Sequence, residues 1–263
     1  MTAALLSEIK DGIALVTLNN PPLNLVTLQT SRELHDLFVQ LSSDPAVRVV
    51  ILTGSGNRAF CVGSDISEFP QMMDAGSVVP KKLKLENDAF AAIRSCAKPT
   101  IAALNGLAYG GGLEMAVCCD LLIAEAGEKI ALPEVKLGVF PGSGGTVRVL
   151  RRIGESRAKM MMFTGEPVTV EDACQWGLIN EVVPKGQALQ RAQVLARQLA
   201  DLPNVSLQCC KASANMSFDM DEHAAVYASL ELSDRVFSSQ DCKEGVRAFF
   251  AKEKPRFTHR EVF

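Results

Sequence analysis

Ile13–Leu18 (IALVTL), Thr30–Leu41 (TSRELHDLFVQL) and Val47–Leu52 (VRVVIL) follow one another near the start of the chain, and their order decides the fold class. The outer two are short runs rich in Val, Ile and Leu, which suit the half-buried surface of a sheet. The middle one carries Leu34, Leu37, Phe38 and Leu41 at helical spacing. Strand, helix, strand is the pattern of a parallel crossover, so an α/β fold is expected. Further along, Phe90–Cys96 continues a helix, while Pro99–Leu104 and Leu121–Ala124 read as buried strands. From Gly186 the pattern turns helical through Leu189–Leu202, Ser206–Met216, Glu222–Phe237 and Cys242–Phe250. No internal repeat or low-complexity linker interrupts it. Short-range patterning alone does not tell a spiral of strands from an ordinary doubly wound sheet.

Bulk properties narrow the class. The 263 residues exceed an average domain, yet α/β folds of this size often stay a single unit. With 48% hydrophobic residues the chain can bury a sizeable core. A net charge of −3 gives no basic footprint for nucleic acid. Eight cysteines are scattered, two pairs of them adjacent (Cys118-Cys119 and Cys209-Cys210), which favours reduced, mostly buried thiols over a disulfide framework. His35, His223 and His259 lie far apart and offer no metal-ligand spacing. Met1–Gly12 carries Glu8, Lys10 and Asp11, without the apolar core of a secretory leader or the Arg-rich pattern of a transit peptide. Arg260-Glu261-Val262-Phe263 is no peroxisomal address, and no stretch approaches membrane-spanning length. A cytoplasmic protein with no membrane partner is the expectation.

The chemistry concentrates around Asn105–Glu114 (NGLAYGGGLE). Three consecutive glycines, Gly110 to Gly112, let a main chain approach a ligand closely. The following helix start turns free N–H groups toward it. Glu114 in that first turn suits the helix dipole, and beside main-chain donors it can also move a proton. Taken alone, such a run is more often a tight connection, and such a Glu more often a cap. Leu132-Pro133-Glu134 carries a second acid, which by itself reads as a strand end with a solvated side chain. Gly142-Ser143-Gly144-Gly145-Thr146 lacks the Lys-Ser/Thr ending of a phosphate loop and reads as the flexible start of a helix from Val147 to Ile153. Gly63-Ser64-Asp65 reads as a turn in which Asp65 caps the next helix. Met160-Met161-Met162-Phe163 suits a core or an acyl-pocket lining.

Three blocks taken together resemble the crotonase (enoyl-CoA hydratase/isomerase) superfamily. They are Ala59-Phe60-Cys61-Val62-Gly63-Ser64-Asp65-Ile66, the run from Lys98 through Gly110-Gly111-Gly112-Leu113-Glu114 to Asp120, and Leu132-Pro133-Glu134-Val135 with its continuation to Thr146. The match runs in order from about Ile13 to the C-terminus. It implies a spiral of strand-strand-helix turns followed by C-terminal trimerisation helices, divided as a core with the CoA-binding and catalytic site over 1–185 and a helical assembly region over 186–263. The substrate is then an acyl-CoA thioester, CoA being part of the substrate, with no further cofactor and no metal. A homotrimer or dimer of trimers is implied as well.

By position in the motif, the main-chain N–H groups of Ser64 and Gly111 form an oxyanion hole. Ser64 departs from the alanine often found there. Glu114 matches the acid that activates water, and Glu134 the one that delivers a proton to the α-carbon. The resemblance also assigns substrate or CoA contacts to Leu23, Leu25, Val62, Gly63, Asp65, Ile66, Gly110 and Pro133. Lys252, in a small basic group with Lys254 and Arg256, corresponds to a lysine that reaches the CoA phosphates of an adjacent subunit. Retention of both acids favours an enoyl-CoA hydratase acting on a 2-trans-enoyl-CoA. An enoyl-CoA isomerase working with Glu134 alone is the second reading, and a non-catalytic binding protein on the same fold the third.

Overall fold

A computed structural model describes residues 3–259. Met1, Thr2 and Arg260–Phe263 lie outside the described residues, and with them the reading of the last four as no peroxisomal address. Among the described residues ten strands form two sheets. The larger one follows the order β1 (Leu5–Lys10), β2 (Ile13–Leu18), β3 (Val49–Gly54), β5 (Thr100–Leu104), β7 (Leu121–Glu125) and β10 (Glu181–Val183). The smaller follows β4 (Ala59–Cys61), β6 (Leu107–Tyr109), β8 (Lys129–Ala131) and β9 (Val168–Thr169).

The chain alternates between the sheets. A long strand (β3, β5, β7) joins the large sheet and a short one (β4, β6, β8) joins the small sheet. Helical segments follow, including α2 (Lys84–Ser95) after the first pair and α3 (Gly111–Ala116) after the second. Successive turns stack through the parallel pairs β3·β5·β7 and β4·β6·β8. This is the expected strand-strand-helix spiral, and it excludes a plain doubly wound sheet.

The central strands run almost continuously apolar, so both of their faces can be buried. Val50, Leu52, Ala102, Leu104, Leu122 and Ala124 enter one core, with Leu34, Phe38 and Leu41 of α1 (Leu28–Ser43). Val49, Ile51, Ile101, Ala103 and Ile123 enter a second core on the opposite face. That face is covered by α7 (Ala188–Ala200), whose Ala188, Ala192, Ala196 and Ala200 recur every four residues. A stripe of alanines lets the helix axis lie close to the sheet. The first helix beyond residue 186 therefore packs on the core sheet.

β3 begins at Val49 rather than Val47, because the Val47 N–H closes a turn onto Asp44 O. β1 carries no buried apolar alternation, since only Leu5 is buried, and it forms an antiparallel edge on β2. Between α4 (Gly145–Ile153), α5 (Glu155–Thr164) and α6 (Val170–Gln175) and the C-terminal end lie α8 (Asn204–Met216), α9 (Glu222–Ser238) and α10 (Gln240–Ala251), after α7. Among the described residues no disulfide joins any of the eight cysteines, and burial pushes the Cys61 thiol up to about 12 and that of Cys118 up to about 11. Among the described residues no helix is long and apolar enough to cross a membrane.

Candidate active site

The small sheet gathers the site. β4 pairs with β6 through Cys61 and Ala108, and β6 with β8 through Tyr109 and Ala131. The three strands are parallel, so the loops leaving their C-terminal ends lie side by side. Those loops carry Ser64, Gly110-Gly111 and Glu134. The Gly110 N–H donates to Ala131 O at 2.9 Å, which fastens the glycine run to the strand that leads into Pro133-Glu134.

The glycines are required by contact. Gly110 has φ +51° with ψ −129°, a conformation that L side chains rarely adopt. A Cβ there would stand 3.0 Å from Glu134 Oε1. Gly112 faces the neighbouring strand, and a Cβ on it would fall 2.1 Å from Cys61 O. Only a missing side chain allows α3 to sit this close to β4.

Ser64 and Gly111 are brought together as the motif implied. A Cβ built on Gly111 would lie 3.6 Å from Ser64 N, and one on Gly63 would lie 3.2 Å from Gly111 N. Neither N–H has a hydrogen-bond acceptor among the described residues. Asp65 caps the 3-10 turn Ile66–Met72, accepting from Ser67 N at 3.0 Å and Ser67 Oγ at 2.7 Å. The segment 23–26 runs alongside, since Val62 N donates to Leu23 O, Val26 N to Gly63 O and Asp65 N to Val26 O. Leu23, Leu25, Val62, Gly63, Asp65 and Ile66 thus share one edge of the site. Lys252 does not join them: it caps the C-terminal end of α10 with φ +54° and is exposed.

Both glutamates are held where water is scarce. Glu114 is 3% exposed, and its Oε1 accepts from Ser143 N at 2.9 Å and Gly145 N at 2.7 Å. Residues 142–146 are therefore a main-chain cradle for Glu114, and α4 begins at Gly145, inside the run read as flexible. Burial pushes the Glu114 carboxyl up to about 8 despite those donors, with the charges of Glu134 and Glu86 adding to the rise. Glu134, which opens a 3-10 turn Glu134–Leu137, has both oxygens shut from water and neither hydrogen-bonded. Burial pushes its carboxyl up to about 7; its own N–H eases the shift without meeting hydrogen-bond geometry, and Glu86 adds to it.

Several site neighbours escaped the sequence reading. Asn24, 1% exposed at φ +51°, donates to Ser55 O and Ala59 O and so ties the 20–26 loop to the strand ends. Glu86 on α2 is 2% exposed and accepts from Ser64 Oγ at 2.9 Å. Lys82, equally buried, lies 3.9 Å from Glu86 and 3.5 Å from Glu68. In sequence, Lys82 and Glu86 form an ordinary i,i+4 pair, indistinguishable from a solvated helix face. Met160 to Phe163 divides: Met161 is buried and Met162 packs on the core, whereas Met160 and Phe163 are exposed.

Among the described residues no group of three or more His, Cys, Asp or Glu is arranged to hold a metal ion. What the geometry offers is proton transfer between two acids beside a pair of main-chain donors, an arrangement suited to stabilising an enolate.

Relatives of known name share the whole arrangement of the chain. It is 34% identical over 252 residues to a crotonyl-CoA hydratase of Syntrophomonas wolfei, covering 95% of this chain and 96% of the relative. A short-chain-enoyl-CoA hydratase of Clostridium acetobutylicum is 35% identical over 248 residues, covering 93% and 94%. The crystal structure of an enoyl-CoA hydratase from Geobacillus kaustophilus superposes with a TM-score of 0.94 at 32% identity, covering 99% of this chain and 98% of that one. The family profile for enoyl-CoA hydratase/isomerase matches residues 8–260. On sequence, fold and extent together, the chain belongs to the enoyl-CoA hydratase/isomerase family.

Proposed function

We infer that this chain is an enzyme, an enoyl-CoA hydratase (a lyase), that adds water across the double bond of a short 2-trans-enoyl-CoA. The observation that carries this reading is the confinement of two buried carboxyls beside two unengaged main-chain N–H groups. The names of the relatives support the short acyl chain. In this reading the thioester oxygen sits between Ser64 N and Gly111 N, whose donors gain strength as negative charge develops on it. Glu114, fixed by Ser143 N and Gly145 N, activates the water. Glu134 delivers a proton to the α-carbon. The segments around Leu23, Leu25, Val62, Gly63, Asp65, Ile66, Gly110 and Pro133 line the thioester and its CoA arm, and no metal or further cofactor takes part.

Glu134 alone has both oxygens unengaged, which is what a single-acid double-bond shift would use, so isomerisation is the competing activity. The deciding experiment assays hydration of a 2-enoyl-CoA series of graded length beside isomerisation of a 3-enoyl-CoA. Hydration with little isomerisation is expected. The reverse rejects the reading, and a chelator that abolished activity would reject its metal-free part.

The rate should also follow a bell-shaped pH profile. Below about 7 both carboxyls hold protons and no base remains; above about 8 both are ionised and no acid remains. The two interact, so the inflections belong to the pair, which holds one proton between them; the productive form is the one with that proton on Glu134 and Glu114 ionised, the less populated of the two arrangements. A flat kcat profile between pH 6 and 9 would contradict this.

We further propose a homotrimer or a dimer of trimers, in which 186–263 supplies assembly contacts. Support comes from large apolar side chains left bare on the last two helices, Tyr227, Leu230 and Phe237 on α9 and Phe249 and Phe250 on α10. Lys252, two residues after Phe250, would reach the CoA phosphates of a neighbouring subunit. Sedimentation should give a trimer or larger. Removal of residues after Ser239 should dissociate it and weaken CoA binding, and a fully active monomer would contradict the proposal.

A further inference from the structure

Glu86 has no part in the proposed division of labour, yet it lies against the donors. A Cβ built on Gly111 would stand 3.1 Å from Glu86 Oε1 and 3.4 Å from Ser64 Oγ. The Ser64 hydroxyl donates to that same Glu86 oxygen at 2.9 Å. On the far side, Lys82 Nζ lies 3.9 Å from Glu86 Oε2 and 3.5 Å from Glu68 Oε2. Glu68 in turn accepts from Leu28 N at the start of α1. Both Lys82 and Glu86 are 2% exposed. Removing two charged side chains from water costs several kcal/mol per ion, and the pair's attraction offsets this only where geometry is good. An apolar pair at these positions would pack without that cost, so stability alone gives no account of them.

We propose that Glu86, paired with Lys82 and hydrogen-bonded by Ser64, is a positioning residue for the reaction: it ties the loop carrying the Ser64 N–H to α2 and sets a third carboxyl against the Gly110-Gly111 turn on which Glu134 also packs. The charged and titratable groups around it are Lys82 on its own helical segment, Glu68 from the 3-10 turn, Glu114 from α3, Glu134 from the turn after β8 and the Cys61 thiol from β4. Burial leads the rise in proton affinity of both Glu114 and Glu134, and negative charge at Glu86 adds to it. This explains why serine is tolerated at position 64, since its hydroxyl gives the Glu86 carboxylate a hydrogen bond that alanine could not. The consequence for catalysis rests on the hydratase reading, but the effect on the two carboxyls does not.

The test compares wild-type full-length protein with Glu86→Gln, Glu86→Asp and Ser64→Ala. Carboxyl 13C NMR titration of Glu114 and Glu134 in the ligand-free protein reads the electrostatic effect whether or not hydration occurs. In Glu86→Gln both titrations should move down by up to about one pH unit, since Glu86 adds to a rise that burial leads. The kcat profile for crotonyl-CoA hydration should move the same way, with KM changed less than kcat. Glu86→Asp keeps the charge and should restore the wild-type profile. Ser64→Ala should lower kcat while leaving both titrations in place. If Glu86→Gln fails to fold, Glu86→Met carries the same expectation without needing a hydrogen bond. Titrations that stay put in Glu86→Gln or Glu86→Met, with only a lowered melting temperature, overturn the proposal. Titrations that move without any wild-type hydration leave the Glu86 assignment standing and reject the hydratase reading.

Discussion

Glu114→Gln and Glu134→Gln should each lower the hydration rate by about a hundred- to ten-thousand-fold, the range for loss of one general acid or base. CoA affinity should be nearly unchanged. Glutamine at 114 still offers an amide oxygen to Ser143 N and Gly145 N, so the cradle survives and only proton transfer is lost. The double variant should be little worse than either single one, because both acids serve one transition state. An isomerase would instead show a severe Glu134→Gln and a mild Glu114→Gln. Stability adds an independent sign. The folded-state pKa of Glu114 lies above its ordinary value, so the native protein binds more protons there than the unfolded chain. Its contribution is therefore present at low pH and lost as pH rises toward about 8. Glu114→Gln removes that loss and should melt at or above the wild-type temperature at pH 8. A marked fall in melting temperature there would mean that the carboxylate holds the fold.

Gly112→Ala should be the most damaging single methyl in the chain. Its Cβ would meet a main-chain oxygen, Cys61 O, at 2.1 Å, and neither α3 nor β4 can yield without moving a donor loop. Overpacking of this kind costs typically about 1–3 kcal/mol, or roughly 2–12 °C in melting temperature for a chain of this size. Activity should fall further than stability, since the shift spreads Ser64 from Gly111. Gly56, with open space around it, is the control: Gly56→Ala should lose only what its φ of +77° imposes. Equal activity losses in the two variants would contradict the geometry.

The α/β class was legible because the central strands bury both faces and so read as continuous runs of Val, Ile and Leu. The second sheet was not. β4, β6 and β8 are three residues long each, too short for any alternation to register, yet they are what aligns the three site loops. The spiral, and the placing of Ser64, Gly111 and Glu134 in one site, came from a resemblance rather than from periodicity. Residues 142–146 were misjudged as flexible because glycine content signals conformational freedom, whereas here it permits two N–H groups to converge on Glu114. Lys82 and Glu86 were passed over because charge at helical spacing ordinarily faces solvent. Only tertiary packing shows which face of α2 is turned inward.

In the proposed mechanism both stabilising donors are peptide groups, and this shapes what genetics can see. Nineteen of the coded residues supply the same N–H at position 64, and only proline deletes it. An alanine scan of the site would therefore register Glu114, Glu134, Glu86 and, at position 64, only the hydroxyl that bonds Glu86, never the N–H itself. Any loss read there reports the side chain and leaves the donor unprobed. Replacing the peptide link before Ser64 by an ester, which swaps the N–H for an oxygen, is the substitution that reaches the donor itself.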